Sequence, residues 1–170
     1  MRIKEIAIAL FAVLMLATLA LVWLGSGGLK YAPEVELNLI KEGKVTFSQL
    51  QERQPVLVTF WATDCPGCRK EVPHLVELYK QYHEKGFHIV AVAMSHDPPN
   101  RVWEFVRTKQ LPYKIALDLD SKVAQAFGDV RLTPTTYVIA KDGRIVLHKI
   151  GEFDLAKMRI LIERLLAESV

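Results

Sequence analysis

What this 170-residue chain lacks narrows its chemistry first. Its formal net charge is only +3, too little for the basic footprint that nucleic-acid binding requires, so no nucleic-acid partner is expected. It holds just two cysteines, Cys65 and Cys68. A bridge closing so short a loop constrains the unfolded chain little, so a structural staple explains them poorly. No internal repeat or low-complexity tract is present, and nine glycines with eight prolines are ordinary usage, which sets aside collagenous and disordered classes.

What the chain has in excess is apolar surface, 51% of its residues, and much of it is concentrated at one end. Ile6 to Leu24 is an unbroken run in which Thr18 is the only polar side chain. As a helix the run is about 28 Å long, close to the roughly 30 Å hydrocarbon core of a bilayer. Arg2 and Lys4 precede it and Lys30 follows, so the positive-inside bias keeps the N-terminus in the cytoplasm. Residues 1–29 are expected to form one transmembrane helix, with 30–170 as an exported domain of ordinary single-domain size. A cleaved signal segment ending in Gly25-Ser26-Gly27-Gly28 is the alternative, although no Ala-x-Ala site is present. No cysteine lies at the end of the run, which excludes lipid modification there.

The exported part alternates strand-like and helix-like segments after a short tether at residues 25–33. Val56 to Trp61 and Phe87 to Met94 are apolar, β-rich runs that suit buried strands. Between them Cys68, Val72, Leu75, Val76, Tyr79 and Tyr82 fall on one helical stripe, which Gly86 is expected to end. Strand, helix and strand at this spacing make a βαβ crossover with parallel strands. A second helix is expected from Pro99 to Gln110, capped by Asp97 and packing through Val102, Phe105 and Val106. Thr135–Ala140 and Ile145–Ile150 are expected strands of a hairpin turned at Lys141-Asp142-Gly143-Arg144, and an amphipathic helix from Asp154 to Glu168 closes the chain. The expected fold class is α/β, a mixed central sheet flanked by helices.

The chemistry concentrates at Trp61-Ala62-Thr63-Asp64-Cys65-Pro66-Gly67-Cys68, where a strand leads into the first turn of a helix. Free N–H groups and the helix dipole there stabilise a thiolate on Cys65, which makes it the attacking sulfur. Cys68, one turn on and within the apolar stripe, is the more buried sulfur, placed to resolve a mixed disulfide. Three other readings compete. Cys65, Cys68, His83 and His88 formally satisfy a zinc spacing, but Cys68 and His83 are separated by about 22 Å of helix, so no metal site is assigned. Cu(I) binding by the cysteine pair with Met94 or His96 is the runner-up function. Peroxide reduction by the related peroxiredoxins would place Thr or Ser three residues before the reactive cysteine and Pro seven before it, where this chain has Ala62 and Val58.

Residues 60–73, Phe-Trp-Ala-Thr-Asp-Cys-Pro-Gly-Cys-Arg-Lys-Glu-Val-Pro, resemble the active-site segment of the TlpA-like proteins, membrane-anchored thioredoxin-fold proteins of the ResA and CcmG types. Residues 133–146 resemble that family's cis-proline loop and hairpin, and the likeness runs from Pro33 to Leu166. It implies a thioredoxin-like fold with a helical insertion at residues 98–127. It also implies a domain at the outer face of the bacterial inner membrane, in the periplasm or at the outer surface. There it would reduce disulfides of exported proteins, such as apocytochrome c or a copper-delivery protein, with electrons from a membrane thiol reductase and without a cofactor. Carried over by motif, Cys65, Cys68 and Glu71 are the catalytic residues. Trp61, Thr133 and a cis Pro134 form the substrate-binding part, and Pro73 is expected to kink the helix. Glu71, at the edge of the stripe, is expected to have a raised pKa and to exchange a proton with Cys68. Arg69 and Lys70 are expected to be exposed charges. The sequence departs from the family at Asp64, where Trp is usual, and at Thr59, where thioredoxins carry a buried Asp. A negative Asp64 opposes thiolate formation on Cys65 but could also cap the helix.

Overall fold

The computed structural model describes residues 2–25 and 28–168, apart from the side chains of residues 2, 3, 7, 9 and 20–25. The chain divides into two compact units, Met1–Lys30 and Tyr31–Val170. The first is the 24-residue helix α1, Arg2–Gly25. Among the described residues no helix is long and apolar enough to cross a membrane. The described side chains of α1 stop at Leu19, so the run Ile6–Leu24 lies partly outside them.

The second unit is a seven-stranded sheet covered on both faces. Its elements are β1 (Glu36–Leu39), β2 (Gly43–Thr46), α2 (Phe47–Gln51), β3 (Val56–Trp61), α3 (Pro66–Tyr82) with a 3-10 turn at His83–Lys85, and β4 (His88–Ala93). They continue with α4 (Pro99–Lys109), β5 (Lys114–Leu117), α5 (Lys122–Ala126), β6 (Thr135–Ile139), β7 (Ile145–Ile150) and α6 (Leu155–Ala167). The strand order is β2-β1-β5-β4-β3-β6-β7. β3, β4 and β5 run parallel, while β1, β6 and β7 add antiparallel pairings, so the sheet is mixed.

β3 is buried along its whole length, as a central strand between two helical layers must be. Alternation then sorts its side chains. Leu57 and Trp61 join Leu75 and Leu78 of α3, Val102 and Val106 of α4 and Met158 and Ile162 of α6. Val56, Val58 and Phe60 join Phe47 and Leu50 of α2 and Val123, Ala124 and Phe127 on the other face. α3 follows the expected stripe but ends at Tyr82; Gly86, at φ 89, terminates the 3-10 turn instead. A Cβ at Gly86 would lie 2.8 Å from Gln54 Oε1. The closing helix starts at Leu155 and is capped by Asp154, with Lys157 N–H donating to Asp154 Oδ1 at 3.0 Å.

Two expectations need correcting. The segment 98–127 is not purely helical, because β5 lies within it and pairs parallel with β4. Asp97 does not cap α4: Pro98 holds that position without a side-chain cap. Asp97 is instead buried and accepts from Thr63 N–H at 2.5 Å and Thr63 Oγ1 at 2.8 Å. A carboxylate removed from water takes the strongest donors within reach, and here those lie in the loop after β3. The hairpin β1–β2 and helix α2 were not foreseen.

Candidate active site

The end of β3 delivers the chain into a tight turn held by local hydrogen bonds and by the two that Thr63 donates to Asp97. Cys65 N–H donates to the Ala62 carbonyl at 3.2 Å, and Arg69 N–H donates to the Cys65 carbonyl at 3.1 Å, opening α3. Cys65 itself is the N-cap: its sulfur accepts from Cys68 N–H at 3.1 Å. A free backbone donor aimed at that sulfur is what lowers a thiol's pKa at a helix start. The cap is therefore not Asp64, which is exposed. Pro66 follows at the first helical position, where a missing N–H costs nothing.

Cys65 and Cys68 are joined by a disulfide with Cα atoms 5.3 Å apart. Their exposures are 9% and 3%, the expected order, with Cys65 the more reachable. The Thr133–Pro134 peptide bond is cis. Gly151 N–H donates to the Pro134 carbonyl at 2.8 Å and Thr135 Oγ1 donates to the Leu132 carbonyl at 2.7 Å, so the loop is pinned from both sides. It packs against the first turn of α3: a Cβ on Gly67 would lie 3.2 Å from Pro134 Cδ and 3.4 Å from Glu152 Oε1. Glycine at 67 is what lets the two segments approach.

Glu71 is 2% exposed, buried rather than solvated. Its Oε1 accepts from Phe153 N–H at 2.7 Å. Burial, which that hydrogen bond offsets only in part, and the nearby Glu152 carboxylate push its pKa up to about 7. A small cavity of about 10 Å³ is shared by Glu71, Cys68, Thr59, Trp61 and Tyr113. A carboxyl that titrates near neutrality one helical turn from the resolving sulfur can take or return its proton. Thr59, at the position of the thioredoxin Asp, receives a hydrogen bond from Thr136 Oγ1 at 3.2 Å and supplies no acid.

Trp61, expected on the substrate-binding surface, is only 4% exposed and packs on Phe105 at 5.3 Å between ring centroids. It forms the floor of the site. Arg69 and Lys70 are exposed, with Lys70 3.6 Å from Glu152, and Pro73 lies within α3. His83 caps the far end of α3, so the structure does not bring it to the cysteines. Met94 packs in the core on the opposite face of the sheet from the sulfurs, and His96 is exposed. Among the described residues no group of three or more His, Cys, Asp or Glu side chains could hold a metal ion. Sequence reasoning missed Tyr113 and Glu152 and gave Asp97 a different role, that of a helix cap. The signal within reach was Asp97, a carboxylate directly after an apolar strand that neighbours the cysteine strand.

Comparison with known proteins agrees with this geometry. The AhpC/TSA family profile matches residues 29–148. The thiol-disulfide oxidoreductase ResA of Bacillus thuringiensis (strain Al Hakam) is 34% identical over 123 residues, 72% of this chain and 69% of that protein. ResA of Bacillus subtilis (strain 168) is 31% identical over 115 residues, 68% and 63% of the two chains. Among solved structures, a candidate thioredoxin from Neisseria meningitidis superposes with TM-score 0.75 at 34% identity, covering 82% of this chain and 92% of that one. A candidate DsbE thiol:disulfide interchange protein from Chlorobium tepidum gives TM-score 0.74 at 26% identity, covering 82% and 99%.

Proposed function

This chain belongs to the AhpC/TSA family and is a thiol-disulfide oxidoreductase of the ResA/DsbE type; from that premise we propose that it is a membrane-anchored reductase of disulfides in exported proteins. The observation that carries the reading is the cysteine pair at the start of α3, packed against the cis Thr133–Pro134 loop with the neutral-range acid Glu71 beneath it. A substrate chain adds as a short strand along the backbone at Thr133. The Cys65 thiolate attacks one substrate sulfur, forming a mixed disulfide and releasing the other sulfur as a thiolate. Cys68 gives its proton to the Glu71 carboxylate and attacks the Cys65 sulfur. The second substrate thiolate leaves, and the Cys65–Cys68 disulfide seen here results. A membrane thiol reductase returns two electrons. The couple is the two sulfurs alone, and no cofactor is called for.

Anchoring is supported by α1, whose large side chains at Leu10, Phe11, Leu14 and Leu16 are all about two-thirds exposed. A helix apolar on every side needs a nonaqueous surrounding. With Arg2 and Lys4 inside, the catalytic unit faces the periplasm or outer surface of a bacterial inner membrane. Apocytochrome c and copper-delivery proteins are the substrate candidates. The test is Cys68→Ser in the full chain. Non-reducing electrophoresis should show mixed disulfides with exported proteins that vanish when Cys65 is also replaced; an absence of adducts overturns the reading.

A further inference from the structure

Glu71 poses a supply problem. It is 2% exposed and Cys68 is 3% exposed, so a proton taken from the thiol must reach solvent through the protein. The cavity beneath Cys68 is about 10 Å³, the least that holds one water, and such a water needs polar partners. Glu71 and Thr59 supply two. Tyr113, 5% exposed, lines the same cavity and also a second pocket of about 200 Å³ with Tyr79, His83 and His88. That pocket opens to solvent at exposed Lys41, His83 and Pro112. Tyr113 is thus the one residue among those described that borders both spaces.

We propose that Tyr113 is a positioning residue for Glu71: its hydroxyl holds a single water in the cavity that donates to the Glu71 carboxylate and links it to the outer pocket. This rests on the proton-exchange role of Glu71 proposed above. The proton leaves Cys68 Sγ, resides on Glu71 and passes to water, while Tyr113 ends with the proton it began with and no electrons move. The groups facing Glu71 are the Phe153 N–H, the Glu152 carboxylate, Thr59 and Cys68. On the outer side Tyr113 meets Tyr79, His83, His88 and Lys114, with Lys114 paired to Glu42 at 2.9 Å. Burial and then the Glu71 charge raise the Tyr113 pKa, so the phenol stays a donor at all working pH. Burial, and then the neighbouring His83, also hold His88 below the usual imidazole range.

Tyr113→Phe in the full chain tests this, since it deletes only the hydroxyl. Losing a donor to a carboxylate raises that carboxylate's pKa. A carbon-detected NMR titration of the oxidised protein should show Glu71 moving up by about one unit, and the pH profile for resolution of the mixed disulfide should move with it. At pH 7 resolution becomes about fivefold slower, as expected for a general base held in its protonated form, while attack by Cys65 and the thermal midpoint stay unchanged. In a Glu71→Gln background the same substitution should do nothing more. An unmoved Glu71 titration overturns the proposal, and so does an equal slowing in the Glu71→Gln background. A chain that traps no partner through Cys65 sinks the reductase reading instead, and leaves the titration of Glu71 readable.

Discussion

The two faces of the central sheet are made from the same strands and are built for different ends. On the face away from the cysteines, Phe47, Phe60, Phe127 and Tyr137 form an edge-packed aromatic cluster with neighbouring centroids 5.2 to 6.1 Å apart. The Tyr137 hydroxyl is satisfied by the Phe127 carbonyl at 2.7 Å. The carboxylate there, Asp118, accepts two N–H groups, from Val123 at 3.0 Å and Ala124 at 2.9 Å. On the cysteine face the polar groups are left short. Glu71 accepts one N–H, and the Trp61 indole N–H has no partner among the described residues. One strand separates the two regimes by alternation, Val58 and Phe60 against Thr59 and Trp61. Satisfied groups on one side give stability, and underserved groups on the other keep an acid able to titrate.

The largest test of that division is Phe127→Ala. It should cost about 3–5 kcal/mol in urea unfolding, the range for a buried aromatic, without moving the reduction potential of the Cys65/Cys68 couple. A shifted potential would show that the faces are coupled. Next in size is Glu71→Gln, whose effect depends on pH. Below about pH 4.5 both folded and unfolded chains carry the Glu71 proton, and the substitution should be nearly neutral. As pH rises toward 7 the unfolded chain ionises while the folded one keeps its proton, so wild-type stability falls. Above pH 7 the folded carboxyl ionises too and the penalty is complete. At pH 8 the Gln variant should therefore be more stable by roughly 3 kcal/mol, from 1.36 kcal/mol per unit; equal stability at pH 4 and pH 8 would contradict the burial argument. The smallest expected effect is Asp97→Ala, which strips two hydrogen bonds from Thr63. About 1–2 kcal/mol of destabilisation should accompany faster alkylation of reduced Cys65 as its turn loosens. Unaltered alkylation would mean the turn holds without Asp97.

The apolar runs of the buried strands and the cysteine motif were legible before any coordinates. β3 and β7 match their expected bounds, β3 because a continuous apolar run suits a strand buried on both faces, and the stripe of α3 packs as its period required, because that helix is long enough for its periodicity to declare a buried face. The four-residue strands β1, β2 and β5 are too short to carry a period. They exist because neighbouring strands offer them hydrogen bonds, which is a tertiary fact. The site divides the same way. Cys65, Cys68, Glu71 and Pro134 sit within two continuous motifs, and the structure brings them together. Asp97 and Tyr113 come from separate loops after α3, and their polar side chains gain meaning only from what the fold places opposite them. Trp61 lay inside the motif, but the burial of its strand decided which way it faced.

Tyr31 forms a bridge with Arg144, and Ala32 N–H donates to the Gly143 carbonyl at 2.8 Å. Those partners belong to the β6–β7 turn, at the end of the sheet where β3 begins rather than ends, so the length of β3, about 17 Å or more, separates them from the sulfurs. Residues 31–32 are therefore fastened at the end of the catalytic unit remote from Cys65 and Cys68, and the entry of the chain into this unit leaves the reactive rim uncovered by its own first residues.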